Sequence, residues 1–146
     1  MIYEPIYFDL DEIACPHVYN KFGEIVWQFL DPRLLITLDT IRVNIGKPIF
    51  INNWKQSGQF DERGFRCIQC ELVKKAITEN RLYVSPHMTG QGADFDVQGL
   101  IAEEVRQWLI KNHNILPYPI RLENNVSWIH LDVREIAGEK VHLFNP

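Results

Sequence analysis

The stretch Ile120-Arg121-Leu122-Glu123-Asn124-Asn125-Val126-Ser127-Trp128-Ile129-His130-Leu131-Asp132-Val133 decides how this chain is read. Apolar and polar residues alternate on both sides of Asn124-Asn125, the pattern of half-buried strands. Asn tolerates positive φ, so the pair predicts a tight hairpin between Ile120–Glu123 and Val126–Val133. Strand alternation places Trp128, His130 and Asp132 on one face. A two-residue turn would set Glu123 opposite Val126, about 13 Å along an ideal strand from His130.

Outward from that hairpin, Ala93 to Val97 alternates and reads as a strand, and Leu82-Tyr83-Val84 as another. Val141 to Phe144 predicts a last strand, and Lys47 to Asn53 a short buried one around Ile49, Phe50 and Ile51. Residues 101–112 carry Ile101, Val105, Trp108 and Leu109 at helical spacing, with Glu103, Glu104 and Lys111 on the other face. Residues 31–46 predict a second helix: Asp31-Pro32 is an N-cap and first turn, Leu34, Leu38, Ile41 and Ile45 share a face, and Gly46 with Pro48 ends it. A third helix is expected within 67–79. Trp54 to Arg66 reads as a long loop, and long loops in compact domains are usually functional. The expectation is one α+β domain over residues 1–146, an antiparallel sheet packed with helices.

The chain has 146 residues, enough for its own core, and a net charge of −4 at 46% hydrophobic and 23% charged residues. That balance is globular and carries no basic footprint for nucleic acid. No run approaches the roughly twenty apolar residues of a membrane span. Met1-Ile2-Tyr3-Glu4-Pro5 lacks the basic and apolar regions of a signal peptide, so synthesis in the cytoplasm is expected. Cys15, Cys67 and Cys70 are odd in number, which predicts free thiols. Cys67-Ile68-Gln69-Cys70 has no second C-x-x-C to complete a zinc ribbon, so small buried thiols are expected, with a local disulfide or a metal contact as alternatives.

Chemistry concentrates in Ser85-Pro86-His87-Met88-Thr89-Gly90-Gln91-Gly92-Ala93-Asp94 and in Trp128-Ile129-His130-Leu131-Asp132. A catalytic zinc needs three protein ligands and an open position. A glycine-flexed loop can turn His87 and Asp94 toward one point, and a strand would hold His130 rigidly as a third ligand. The residues alone leave two other readings open: a turn without function, and a hydrogen-bonded core histidine at His130.

Ser85-x-His87-x-x-Gly90 followed by Asp94, with Trp128-x-His130-x-Asp132 downstream, resembles the signature of zinc D-alanyl-D-alanine carboxypeptidases and their phage relatives in the hedgehog/DD-peptidase superfamily. Gly92 stands where that family usually has Ala. The Pro48–Arg66 segment resembles the part that carries a substrate-binding arginine, and the likeness spans roughly residues 31–134. The resemblance implies a zinc peptidase acting on peptidoglycan stem peptides, of phage or prophage type, released to the wall or carried on a virion. His87, Asp94 and His130 would bind zinc, Ser85 would support the loop beside the substrate, and Arg66, or else Arg63, would hold a substrate carboxylate or carbonyl. Family members often place the catalytic acid three residues before the last histidine, where this chain has Ser127. Glu123 and Asp132 are therefore the candidates for the proton acceptor. The alternative is a non-catalytic zinc-containing binding module, or a phage particle protein, with the same fold.

The remaining features predict structure. His17, His113 and His142 read as surface or locally bonded groups, Trp27 and Trp108 as helix core, and Trp54 as either packing or cleft wall. Asp96 lacks the companions of a calcium loop.

Overall fold

The computed structural model describes residues 2–134 and 138–146. Helices α1 (Leu10–Ile13) and α2 (Pro16–Phe22) and a 3-10 segment (Gly23–Phe29) precede the long helix α3 (Pro32–Ile45). The Asp31 side chain accepts from the Arg33 N–H, Pro32 occupies the first turn, and Gly46 closes the helix at φ +67°. These are the cap, start and stop expected from the sequence. Leu34, Leu35, Leu38 and Ile41 are fully buried.

Strand β1 (Ile49–Phe50) follows, then α4 (Glu71–Thr78), β2 (Gly92–Val97), α5 (Ala102–Lys111), β3 (Ile120–Glu123), β4 (Ile129–Asp132) and β5 (Val141–Phe144). The sheet order is β1-β2-β4-β3-β5. The β1–β2, β2–β4 and β4–β3 pairs are antiparallel, but β5 runs parallel to β3. The sheet of this single α+β domain is therefore mixed, not antiparallel throughout. A strand's own alternation does not encode the direction of its neighbour, so the parallel edge could not be read from Val141–Phe144.

Two further expectations change. Leu82-Tyr83-Val84 is not a strand: it joins no ladder, and Leu82 and Val84 are exposed. The β3–β4 connection is five residues, Asn124 to Trp128, not a two-residue turn, although Asn125 does take a positive φ of 60°. The register pairs Arg121 with Asp132 and Leu122 with Leu131, so the next step sets Glu123 beside His130. The longer loop thus removes the separation that the tight turn implied.

One sheet face carries Ala93, Phe95, Ile120, Leu122, Ile129 and Leu131 into an apolar cluster with the buried face of α3. The other face carries Asp94, Arg121, Glu123, His130 and Asp132. That polar face positions the site.

Candidate metal centre

His87 lies in the loop before β2, and three local contacts fix it. Its backbone N–H donates to Ser85 Oγ (3.1 Å), so Ser85 holds the loop as expected. Its ring Nδ1 is 2.8 Å from the Gly64 carbonyl. A carbonyl can only accept, so Nδ1 carries the proton and the Nε2 lone pair faces inward. Gly90, at φ +70°, has the Phe29 carbonyl 2.1 Å from where a Cβ would stand, so the loop can turn here only with glycine. At Gly92 an added Cβ would lie 2.8 Å from Pro86 Cβ, so an alanine here would require Pro86 to shift.

Asp94 and His130 are directly paired across β2 and β4. His130 Nδ1 is 2.8 Å from Asp94 Oδ1, and 3.3 Å from His87 Nε2. His87 Nε2 is 3.3 Å from Asp94 Oδ2. Metal bonds of about 2.0–2.2 Å in a tetrahedron place ligand atoms roughly 3.3 Å apart. The two separations of 3.3 Å match that spacing and the third is shorter; one ligand atom from each of the three buried residues lies within 4.8 Å of the others. The outer ring nitrogen of each histidine is occupied, His87 Nδ1 by a carbonyl and His130 Nε2 by Asp132 Oδ2 at 3.2 Å. Such outer partners orient metal-binding imidazoles.

Electrostatics follow from this packing. Burial pushes the His87 pKa below its ordinary value, which keeps the ring neutral as a ligand must be. Burial opposes charge on His130 as well, but the Asp132 and Asp94 carboxylates outweigh it and push the ring up to about 9. Burial would raise Asp94, yet hydrogen bonds from His130 and His87 hold it well below the usual carboxylate range. The convergence of donors thus favours a positive charge at its centre.

Asp132 and Glu123 occupy different places. Asp132 is fully buried, and its carboxylate is gripped by Arg121 Nε and Nη2 at 2.8 and 2.9 Å. It touches His130 on the ring nitrogen that points away from His87 and Asp94, a position that orients the ring rather than reaching the open side. Glu123 lines a cavity of about 540 Å³ together with His87, Asp94 and His130. Of the two, Glu123 lines the cavity and Asp132 does not. Ser127, by contrast, faces a separate groove.

Arg66 also lines the cavity, but it is not a loose loop arginine. It is 9% exposed, with Nη2 on Asp94 Oδ2 (2.9 Å), Nη1 on the Tyr83 hydroxyl (2.8 Å) and Nε on the Glu62 carbonyl. Among the described residues these contacts use three of its five N–H donors. Arg63 turns elsewhere, pairing with Asp96 at 2.7 Å and stacking on Phe60. Trp54 packs edge-on against Tyr19 and donates to the Ala14 carbonyl (3.2 Å), so it belongs to the packing and not to the cavity wall.

Two features escaped the sequence reading. Arg106 of α5 is buried and reaches the carbonyls of Glu123 (3.3 Å), Val126 (2.9 Å) and Trp128 (3.2 Å). It clamps the loop that sets Glu123 beside His130. An arginine between Val105 and Gln107 on an amphipathic helix gave no local sign of this. The second is His17, which joins Cys15, Cys67 and Cys70 in another group of donors able to hold a metal. Cys15-Pro16-His17, a C-x-H, was the available signal.

No family model matches the chain, and no curated protein or solved structure shows significant similarity to it.

Proposed function

We propose that this chain is a zinc-dependent peptidase that cleaves peptide bonds of bacterial peptidoglycan, of the D-Ala-D-Ala carboxypeptidase or endopeptidase type. The observation that carries the reading is the convergence of two imidazole nitrogens and one carboxylate at an open cavity, with the Glu123 carboxylate among its lining residues. His87, Asp94 and His130 would hold zinc, which supplies a Lewis acid for the scissile carbonyl and lowers the pKa of a bound water. Glu123 takes the proton of the attacking water and returns it to the leaving amine. Asp132 keeps the His130 ring turned so that Nδ1 faces the centre. Arg66 holds Asp94, and its remaining donors are available to a substrate carboxylate.

The cavity wall supports an anionic peptide as substrate. Arg66, Lys75, Arg81 and Arg134 line it, against Asp94 and Glu123, with Trp128 and Phe144 as apolar surfaces. Stem peptides carry free carboxylates, and a cationic cleft concentrates such ligands.

The test is incubation of zinc-loaded protein with purified muropeptides, read by mass spectrometry. Loss of a D-alanine, or scission within the stem, is expected from the wild type and absent from His87→Ala, which keeps too few ligands to retain zinc at that centre. Zinc binding without any scission would favour the binding module, a reading that Ser127 at the family's usual acid position already raises.

A further inference from the structure

We infer that Cys15, His17, Cys67 and Cys70 form a second, structural zinc site, separate from the histidine–aspartate centre. One ligand atom from each of the four lies within 4.8 Å of all the others. Cys70 Sγ is 3.8 Å from His17 Nδ1. Zinc held by sulfur at about 2.3 Å and nitrogen at about 2.0–2.1 Å places its ligands roughly 3.5–3.8 Å apart, so the four need only a small contraction. The set is Cys3His, a closed four-ligand combination that leaves no position for water and is typical of structural zinc.

The backbone around the sulfurs is arranged for thiolates. The Cys67 N–H points at Cys70 Sγ and the Gln69 N–H at Cys67 Sγ, each at 3.4 Å. Cys70 is the N-cap residue of α4, a position where the helix dipole favours negative charge. All three cysteines are free thiols. A disulfide between any two would strand the third sulfur and His17, whereas one tetrahedral ion uses all four groups. Cys15 and Cys70 are fully buried, and His17 and Cys67 are half-buried, so the ion would sit just beneath the surface.

The location gives the site its purpose. Cys15 N–H donates to the Phe65 carbonyl (3.2 Å), and Phe65 N–H donates to the Ile13 carbonyl (2.7 Å). Gly64 packs so tightly that a Cβ there would stand 1.9 Å from the Ile13 carbonyl. The same segment presents the Gly64 carbonyl to His87 and carries Arg66 to Asp94. Zinc at the cysteines therefore ties the α1–α2 junction and the start of α4 to the backbone that orients the other centre. The inference stands on the four donors and does not depend on the peptidase reading.

Metal analysis and cobalt substitution of the full chain test it. Wild-type protein purified with zinc should contain two zinc ions per chain, and His87→Ala should contain one. Cobalt-loaded wild type should show the intense near-ultraviolet thiolate-to-cobalt charge-transfer band, which histidine and aspartate cannot produce, and His87→Ala should keep it. Cys67→Ser should weaken the band, since one of its three thiolates is gone. Should that variant fail to fold, the wild type alone still decides: its thiols should resist alkylation when zinc-loaded and react after chelation. Absence of the thiolate band in cobalt-loaded wild type, three freely alkylated thiols in zinc-loaded protein, or a disulfide found by mass spectrometry would each overturn the inference and leave the histidine–aspartate centre untouched.

Discussion

Glu123 and Asp132 lie on one sheet face and are chemically alike, yet their surroundings differ. Asp132 is fully buried between Arg121 and the outer nitrogen of His130, while Glu123 opens into the cavity. Glu123→Gln should keep its zinc and lose at least about a hundredfold in turnover, as removal of a general base does. Asp132→Asn should instead weaken zinc binding by about 10- to 100-fold, the usual cost of an altered outer partner. Zinc titration beside steady-state kinetics separates the two; equal zinc affinity and equal turnover in both variants would remove Glu123 from its role. At this scale much was legible. His87, Asp94, His130 and Ser85 were named from two short motifs and Arg66 from the likeness of the Pro48–Arg66 segment, and all five line one cavity. The partners of those residues were not legible, because the Gly64 carbonyl that holds His87 and the buried environment of Arg66 arise from contacts distant in sequence.

The loop from Asn124 to Trp128 shows what an element adds. The sequence pattern located both strands, and β3 matches its expected bounds. A turn's length, however, sets the register, and Asn124-Asn125 suggested the shorter of two possible connections. The longer one is held by Arg106, which donates to two of its carbonyls, Val126 and Trp128, and to that of Glu123 at the end of β3, a long-range service that no hairpin rule includes. Arg106→Met keeps the apolar stem but leaves those carbonyls without their donor. It should lower stability by about 1–3 kcal/mol and reduce turnover, while zinc stoichiometry at the histidine–aspartate centre stays unchanged. Thermal unfolding and metal analysis of the same sample check this. An unchanged melting temperature would mean that the loop holds its shape without the clamp. Leu82-Tyr83-Val84 carries the opposite lesson: β-prone residues formed no strand, since Tyr83 is held by Arg66 rather than by a neighbouring ladder.

For the whole molecule, the α+β class was legible from the order of helical and alternating segments, and the parallel β3–β5 edge was not. Among the described residues no helix is long and apolar enough to cross a membrane. Residues 10–29 form α1, α2 and a 3-10 segment, and the α1–α2 junction is hydrogen-bonded to Phe65. The fold thus places two donor clusters on either side of one stretch of backbone, His87 bonding to Gly64 and Cys15 to Phe65.

The central claim is that His87, Asp94 and His130 bind a metal in an arrangement fit for hydrolysis. Anomalous diffraction at the zinc absorption edge, from crystals grown with zinc, tests it most directly. The account predicts a peak bonded to His87 Nε2, an Asp94 carboxylate oxygen and His130 Nδ1 at about 2.0–2.2 Å, with the Glu123 carboxylate facing the open position. Zinc-containing crystals with no peak among those three residues would contradict it.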